Sequence, residues 1–467
     1  MSFDSLQFAL YFALVVTLYY AVPCARRVFV LLAASVLFYL SFAAQNIYVL
    51  AGLICASYAV GFLIDRAPSQ AMRKFWLVTA LLADIALMAT FKYSPEVLGK
   101  SFGAIPIGLS FHTFQAMSYA IDVYRGRLAP ERSFPVFALY IMFFPQIAAG
   151  PIERAGDMLP QFHKAHPFRY DNVVGGLQLM VWGIFQKYIV ADSLARVSYI
   201  FTNRSTGPEV AFGSICFSFQ IFCDFAGYSE IALGAAQVMG LRLTRNFTAP
   251  FLADSMAEYW KRWHISLSQW MRDYIFFPLC GRRPHMPRVC ASIMVVFLAN
   301  ALWHGARINY LVSGLLHGIY RVAELLGRRA ISRAGWSLDD KWSRPVRWLR
   351  ITVVFALMTF AFIFFRGQSL TDSLAVVSRL FHGWGSIFQH ITPTAIHGDR
   401  WSIELVAKAI CLIVLIQTVQ ILRMRGPLRP RIAAMPYWWR WSLYYSSAAA
   451  VLLLAPQTVS PFIYFAF

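Results

Sequence analysis

A membrane helix needs about 20 mostly apolar residues to cross roughly 30 Å of hydrocarbon, and runs of that kind recur along this chain between short polar breaks. They occupy residues 6–22, 28–42, 47–64, 75–91, 173–198, 211–240, 289–302, 310–326, 351–365, 404–422 and 441–454. Two shorter stretches, 107–124 and 134–150, are apolar but interrupted by polar residues or proline. The pattern predicts an all-α polytopic integral membrane protein with on the order of a dozen membrane segments. No Gly/Ser linker or long polar block divides the chain, so residues 1–467 read as a single membrane-embedded domain. The first residues lack a basic stretch ahead of the apolar run, so that run is expected to remain as an anchor rather than be cleaved.

Composition agrees with this pattern. Of 467 residues, 58% are hydrophobic and 14% charged, against about 25% charged in soluble domains. A disordered chain and a disulfide-stapled secreted scaffold are excluded. The 42 Lys and Arg against 22 Asp and Glu give a formal charge of +20, which in a soluble protein would point to nucleic acid. Here the basic residues cluster between apolar runs, at Arg26-Arg27, Arg66 with Arg73-Lys74, Arg328-Arg329, and Arg423, Arg425, Arg429 and Arg431. That is the distribution of cytoplasmic loops, where anionic headgroups attract Lys and Arg. The partner it implies is membrane lipid, not nucleic acid. Alternation then places the N-terminus outside, and the mixed segment 366–400, with His382, His390 and His397, outward. The seven cysteines form no C-x-x-C pair and sit mostly in or beside apolar runs, so they read as small hydrophobes.

Ionisable residues inside such runs are costly and mark a cavity or pathway by default. In IGLSFHTFQAMSYAIDVYR (107–125), Gln115 and Asp122 share a helical face and His112 lies near it, for a helix–helix hydrogen bond or for chemistry. In FFPQIAAGPIER (143–154), Pro145, Gly150 and Pro151 break the helical ladder, giving a re-entrant element or a kinked helix with Gln146, Glu153 and Arg154 at its polar end. In QIFCDFAGYSEIALGAAQ, Asp224 and Tyr228 share a face and Glu230 points elsewhere; the acids are expected to pair with Arg residues of the following segment. In EYWKRWHISLSQWMRDYIFFPL, Trp260, Trp263, Leu267, Trp270 and Tyr274 recur at helical spacing, with His264, Ser268 and Met271 as a neighbouring stripe and Pro278 limiting the helix. Forty residues on, His304 sits inside LANALWHGARINYLVSGLLHG between Trp303 and Gly305.

The familiar catalytic signatures are missing: no H-E-x-x-H or Cys/His cluster for zinc, no G-x-S-x-G elbow, no P-loop, no dinucleotide fingerprint. Acyl transfer from a thioester to a hydroxyl needs the least equipment. The donor is already activated, and a neutral imidazole can take the hydroxyl proton during attack. Burial disfavours the imidazolium and keeps a ring ready to accept.

At these residues the chain resembles the membrane-bound O-acyltransferase superfamily, and within it the bacterial branch of alginate O-acetyltransferase and the D-alanyl transferase of teichoic-acid modification. SFHTFQAMSYAIDVYRG, FFPQIAAGPIER, DFAGYSEIALGAAQVMG, YWKRWHISLSQWMRDYIFFPL and LWHGARINYLVSGLLHG follow one another over residues 111–318, the catalytic core that the likeness defines. The resemblance implies a helical bundle with re-entrant segments around a tunnel. It implies acetyl-CoA as the donor substrate from the cytoplasm, no bound cofactor or metal, and His304 and His264 as the catalytic pair. Trp303, Trp263, Ser268, Gln115, Asp122, Asp224 and Tyr228 are the candidate substrate-binding residues around it, a structural ion pair being the preferred role of Asp224. It further implies a bacterial inner-membrane location and periplasmic partner proteins that acetylate an exported polysaccharide such as alginate or cellulose. Two other readings stand beside this one, a D-alanyl transferase with a carrier-protein donor and a non-enzymatic transporter or assembly subunit of an export machine.

The loop assignment is directly testable. Trypsin acting from the cytoplasmic side should cut within residues 328–350, and trypsin acting from the outer side should leave them intact; the reverse result would invert the topology.

Overall fold

The computed structural model describes residues 5–94, 97, 99, 105–147, 150–198, 205–335, 344–386, 403–454 and 462. Among them the regular structure is helical throughout, with no strand. Seven helical stretches are long and apolar enough to cross a membrane: Cys24–Asp65, Gln70–Lys92, Tyr170–Val197, Gly207–Val238, Met286–His304, Arg344–Arg366 and Ile403–Met424. That is fewer than the apolar runs counted in the sequence. Leu6–Ala21 has only 16 residues, and Ile308–Arg333 turns polar in its second half. Contacts gather the chain into two compact units, one from Met1–Ile184, Tyr228–Arg245 and Tyr464–Phe467, the other from Phe185–Gly227 and Asn246–Ile463.

The first unit contains α1 (Leu6–Ala21), α2 (Arg27–Ala43), α3 (Ile47–Asp65), α4 (Gln70–Lys92), α5 (Leu109–Tyr124), α6 (Phe134–Met142), α7 (Ala155–Phe162) and α8 (Tyr170–Ile184). α1 shows how its residues choose sides. The Ser5 hydroxyl caps it by accepting from the Phe8 amide. Phe8, Phe12, Val15 and Tyr19 are buried, while Leu6, Leu10, Leu14 and Leu18 form an exposed stripe. Both faces are apolar, which suits a helix with protein on one side and lipid on the other. α5 packs against α3 and α4, and its residues from Phe111 to Ala120, His112 and Gln115 included, are buried. Gln115 and His112 of the polar stripe therefore lie inside protein, while Asp122 at its end is half-buried.

The broken stretch after α6 is satisfied in the same way. Helix ends at Met142, and the Phe144 amide donates to Ser35 Oγ. Gln146 Nε2 donates to the Tyr140 carbonyl, and the Tyr140 hydroxyl to the Glu153 carbonyl. The Glu153 carboxylate accepts from the amide and hydroxyl of Thr244, at 2.6 and 3.1 Å. Irregular backbone is tolerated at membrane depth when protein surrounds it, and Gln146 and Glu153 are both buried.

The second unit opens with a π-helical turn, Phe185–Ala191, leading into α9 (Asp192–Val197). It includes the first part of α10 (Gly207–Val238), then α11 (Met256–Arg262), α12 (Ile265–Met271), a second π turn at Arg272–Phe276 and α13 (Phe277–Cys280). α14 (Met286–His304), α15 (Ile308–Arg333), α16 (Arg344–Arg366), α17 (Leu370–Arg379), α18 (Ile403–Met424), α19 (Leu428–Ala433) and α20 (Tyr437–Leu454) complete it. Two expectations are corrected. Pro278 does not stop the helix at once: helical backbone runs unbroken from the π turn through α13 and ends two residues later, at Cys280. α15 runs on to Arg333, and the start of the supposed basic loop is helical, with Glu324 reaching Arg321 and Arg328 one turn away on either side. Residues 336–343 of that loop, and His390 and His397, lie outside the described residues.

The tightest helix contact of this unit joins α14 and α15. A side-chain carbon on Gly314 would lie 2.6 Å from the Ala301 Cβ and 2.7 Å from the Phe297 carbonyl oxygen. One turn on, Gly318 leaves room for the end of the Met294 side chain. This is the small-residue seam by which helices approach closely in lipid. Gly314→Val should therefore push α14 and α15 apart and destabilise the protein by about 1–3 kcal/mol, read as a lower melting temperature in detergent; unchanged melting would show that the seam can yield.

Candidate active site

The aromatic stripe does not lie on one continuous helix. α11 ends at Arg262, and His264 takes φ 42° and ψ 57° before α12 begins. Left-handed backbone at a residue with a Cβ costs about 1–3 kcal/mol and persists only where neighbours hold it. Asn246 is the holder. Its carbonyl accepts from the Ile265 amide at 2.9 Å, and its side-chain oxygen from the Ser266 hydroxyl at 2.7 Å and amide at 3.3 Å. The Thr248 amide, donating to the Arg262 carbonyl, ties the other side of the break. The strain falls on a residue already singled out for chemistry.

The turn carries the His264 ring inward, leaving 1% of the residue exposed. Phe225 meets it edge to face, 4.7 Å between centroids at 85°, and the Trp303 indole lies 6.0 Å away. His264 lies outside the membrane-crossing helices, and burial lowers its pKa to about 3, so the ring is neutral at physiological pH. His304 is the last residue of α14 and is 9% exposed. Its ring packs on Trp303 at 4.7 Å, on Phe365 at 4.9 Å and 88°, and on Tyr310 at 6.4 Å. Both imidazoles thus contact the one indole of Trp303. Trp263 stacks on Tyr259 at 5.6 Å and meets Phe247, Phe251 and Phe362, forming the aromatic floor beside the break.

Comparison with known proteins gives this arrangement its context. Residues 124–365 match the membrane-bound O-acyltransferase family model, a range that takes in both histidines. The chain is 31% identical to the "Probable alginate O-acetylase AlgI" of Pseudomonas aeruginosa, over 78% of this chain and 71% of that protein. It is 29% identical to the peptidoglycan O-acetyltransferase of Helicobacter pylori, over 78% and 76%. Against the teichoic acid D-alanyltransferase of Bacillus subtilis it is 27% identical over 56% and 69%. This chain belongs to the membrane-bound O-acyltransferase family. It is a multi-pass membrane enzyme that transfers acyl groups to oxygen.

The remaining site candidates of this acyltransferase divide between the two units. Ser268 is half-buried, and its hydroxyl donates to the Trp263 carbonyl, closing the start of α12. Gln115, Asp122 and Tyr228 belong to the first unit. Gln115 and Tyr228 are buried there, and Asp122 lies 3.9 Å from Arg127 at the end of α5. Asp224 is in the second unit, and its partner corrects the expectation. Instead of an Arg from the following segment it takes Lys187, whose Nζ lies 2.6 Å from Asp224 and 3.0 Å from Asp192. The basic residues that follow are engaged elsewhere, Lys261 and Arg262 both reaching Glu258. The π turn holds Lys187 in register with both acids, a use of such turns that recurs at functional sites.

The sequence reading passed over Lys187 and Asp192, although two opposite charges inside the run 173–198 were a signal. It also passed over His317, on α15, where the SGLLHG stretch displays it. That ring is buried against Trp260 at 5.2 Å and Phe297 at 6.1 Å, and its Nδ1 has no hydrogen-bond partner among the described residues. The ion cluster gives a clean test. Lys187→Met removes the cation that two buried carboxylates share and should cost about 3–5 kcal/mol, seen as lost accumulation in the membrane. Neutralising all three positions together, with Asp192→Asn and Asp224→Asn added, should restore most of it.

Proposed function

We propose that this acyltransferase moves an acetyl group from acetyl-CoA, supplied from the cytoplasm, to a hydroxyl on the route to O-acetylation of an exported polysaccharide of the alginate type. What supports the reading is the pair of buried imidazoles on Trp303, together with the sugar-polymer O-acetylating relatives. In this reading His304 is the general base. It takes the proton from the acceptor hydroxyl as that oxygen attacks the thioester carbonyl. The tetrahedral adduct collapses, the carbon–sulfur bond breaks, and the proton passes from the imidazolium to the departing thiolate. The products are an ester and the free thiol, with no net proton released. His264 stands as the second member of the pair, its ring neutral and able to orient acceptor or donor through a hydrogen bond.

The surroundings favour such a step. Aromatic rings pack against both imidazoles, so the developing oxyanion and imidazolium meet a low dielectric, where their attraction is strongest. The enzyme is read as residing in the bacterial inner membrane, and protein partners on the outer side would carry the acetyl group onward to the polymer.

His304→Ala should abolish polymer O-acetylation with membrane abundance unchanged, measured by mass spectrometry of the exported polysaccharide; full acetylation in that variant would falsify the assignment. His264→Ala should lower transfer strongly, and near-normal turnover would leave it a packing residue. Purified enzyme given either acetyl-CoA or a D-alanyl carrier protein should turn over only the former, and turnover of the latter would move it to the alternative donor.

A further inference from the structure

We infer that Asn309 is a positioning residue for His304, holding the aromatic wall against which the imidazole is oriented. The inference rests on the reading of His304 as base. Asn309 is 1% exposed, in the first turn of α15. Its amide nitrogen donates to the Phe364 carbonyl at 3.1 Å and also to the Gly367 carbonyl, at the C-terminus of α16. The opposite orientation of the amide would set its oxygen against two carbonyl oxygens, so the donor assignment is fixed by the partners. Those carbonyls flank Phe365, the residue whose ring meets His304 edge to face at 4.9 Å.

Two functions converge on one turn. The terminal carbonyls of a helix lack partners within it, and Asn309 satisfies two of them for α16. In doing so it fixes the backbone on both sides of Phe365. The next residue, Tyr310, packs on Phe365 at 5.4 Å and on His304 at 6.4 Å, closing a triangle of rings. The imidazole therefore has aromatic neighbours on α15 and α16 as well as Trp303 on α14, and the α16 neighbour is held by one side-chain amide. Further along the same interface the Ser313 hydroxyl donates to the Ala361 carbonyl at 3.1 Å. That bond also joins α15 to α16 but does not flank Phe365, which makes it the natural control.

Three substitutions test the proposal in the full-length enzyme. Asn309→Asp removes both donors at constant volume, Asn309→Ala removes the side chain, and Asn309→Ser keeps one hydroxyl donor. Each is read as kcat and KM per folded enzyme, with the pH dependence of kcat. The Asp and Ala variants should lose kcat on the order of 10²-fold, the scale expected from a small misplacement of a catalytic group. KM for acetyl-CoA should stay within about twofold, the pH profile should shift, and the Ser variant should fall between. It decides the matter alone where the other two do not accumulate. Ser313→Ala should keep the parental kcat and pH profile. Wild-type kcat and pH profile in the Asn309 variants, with only melting lowered as in Ser313→Ala, would reduce Asn309 to a structural tie and overturn the proposal. His304→Ala run alongside separates the two claims. Activity in His304→Ala removes the base itself, whereas an inactive His304→Ala beside unaffected Asn309 variants removes only the positioning role.

Discussion

Two helices can lie backbone to backbone only where side chains are absent, and in the second unit Gly314 provides that on α15, meeting the Phe297 carbonyl of α14. The rest of the site depends on this approach. α14 carries His304 as its last residue, and α15 begins four residues later, so the distance between the helices sets where the imidazole ends and where Tyr310 can reach it. Lipid offers no hydrophobic drive for this contact, since hydrocarbon surrounds both helices in any case. Close packing and internal hydrogen bonds must supply it.

The same economy governs the polar groups. Water is not at hand to solvate a stray carbonyl or charge inside the bilayer, so protein groups answer the buried charges and freed backbone described above. Lys187 answers two carboxylates, Asn309 two helix-end carbonyls, Thr244 the Glu153 carboxylate, and Asn246 the amides freed by the break at His264. The two candidate catalytic rings are treated differently, packed mainly against aromatic rings.

Backbone strain falls on a candidate catalytic residue at His264. Left-handed backbone there divides a stripe of aromatics into two seven-residue helices and turns the ring inward. A continuous helix would have placed His264 on a face beside Ser268, as its spacing indicated. Periodicity reports where side chains would point if the helix held; it carries no trace of a break enforced by Asn246, a residue 18 positions upstream. The π turn that brings Lys187 to Asp224 escaped notice for the same reason, because it is a bargain struck between a local irregularity and a distant charge.

By itself the sequence determined the solvent of this protein, its family and its candidate site residues. Apolar runs of spanning length dictate helices, since only a helix satisfies its own backbone in hydrocarbon, and the Trp-His-Gly and Trp-His-Ile-Ser stretches named both histidines and the family. Tertiary structure decided which groups meet: Trp303 between His264 and His304, Phe365 on the imidazole, Lys187 rather than an arginine on Asp224. Those pairings join residues far apart in the chain, and their geometry is fixed by packing and by the cost of leaving any buried polar group unanswered, neither of which is written in local spacing.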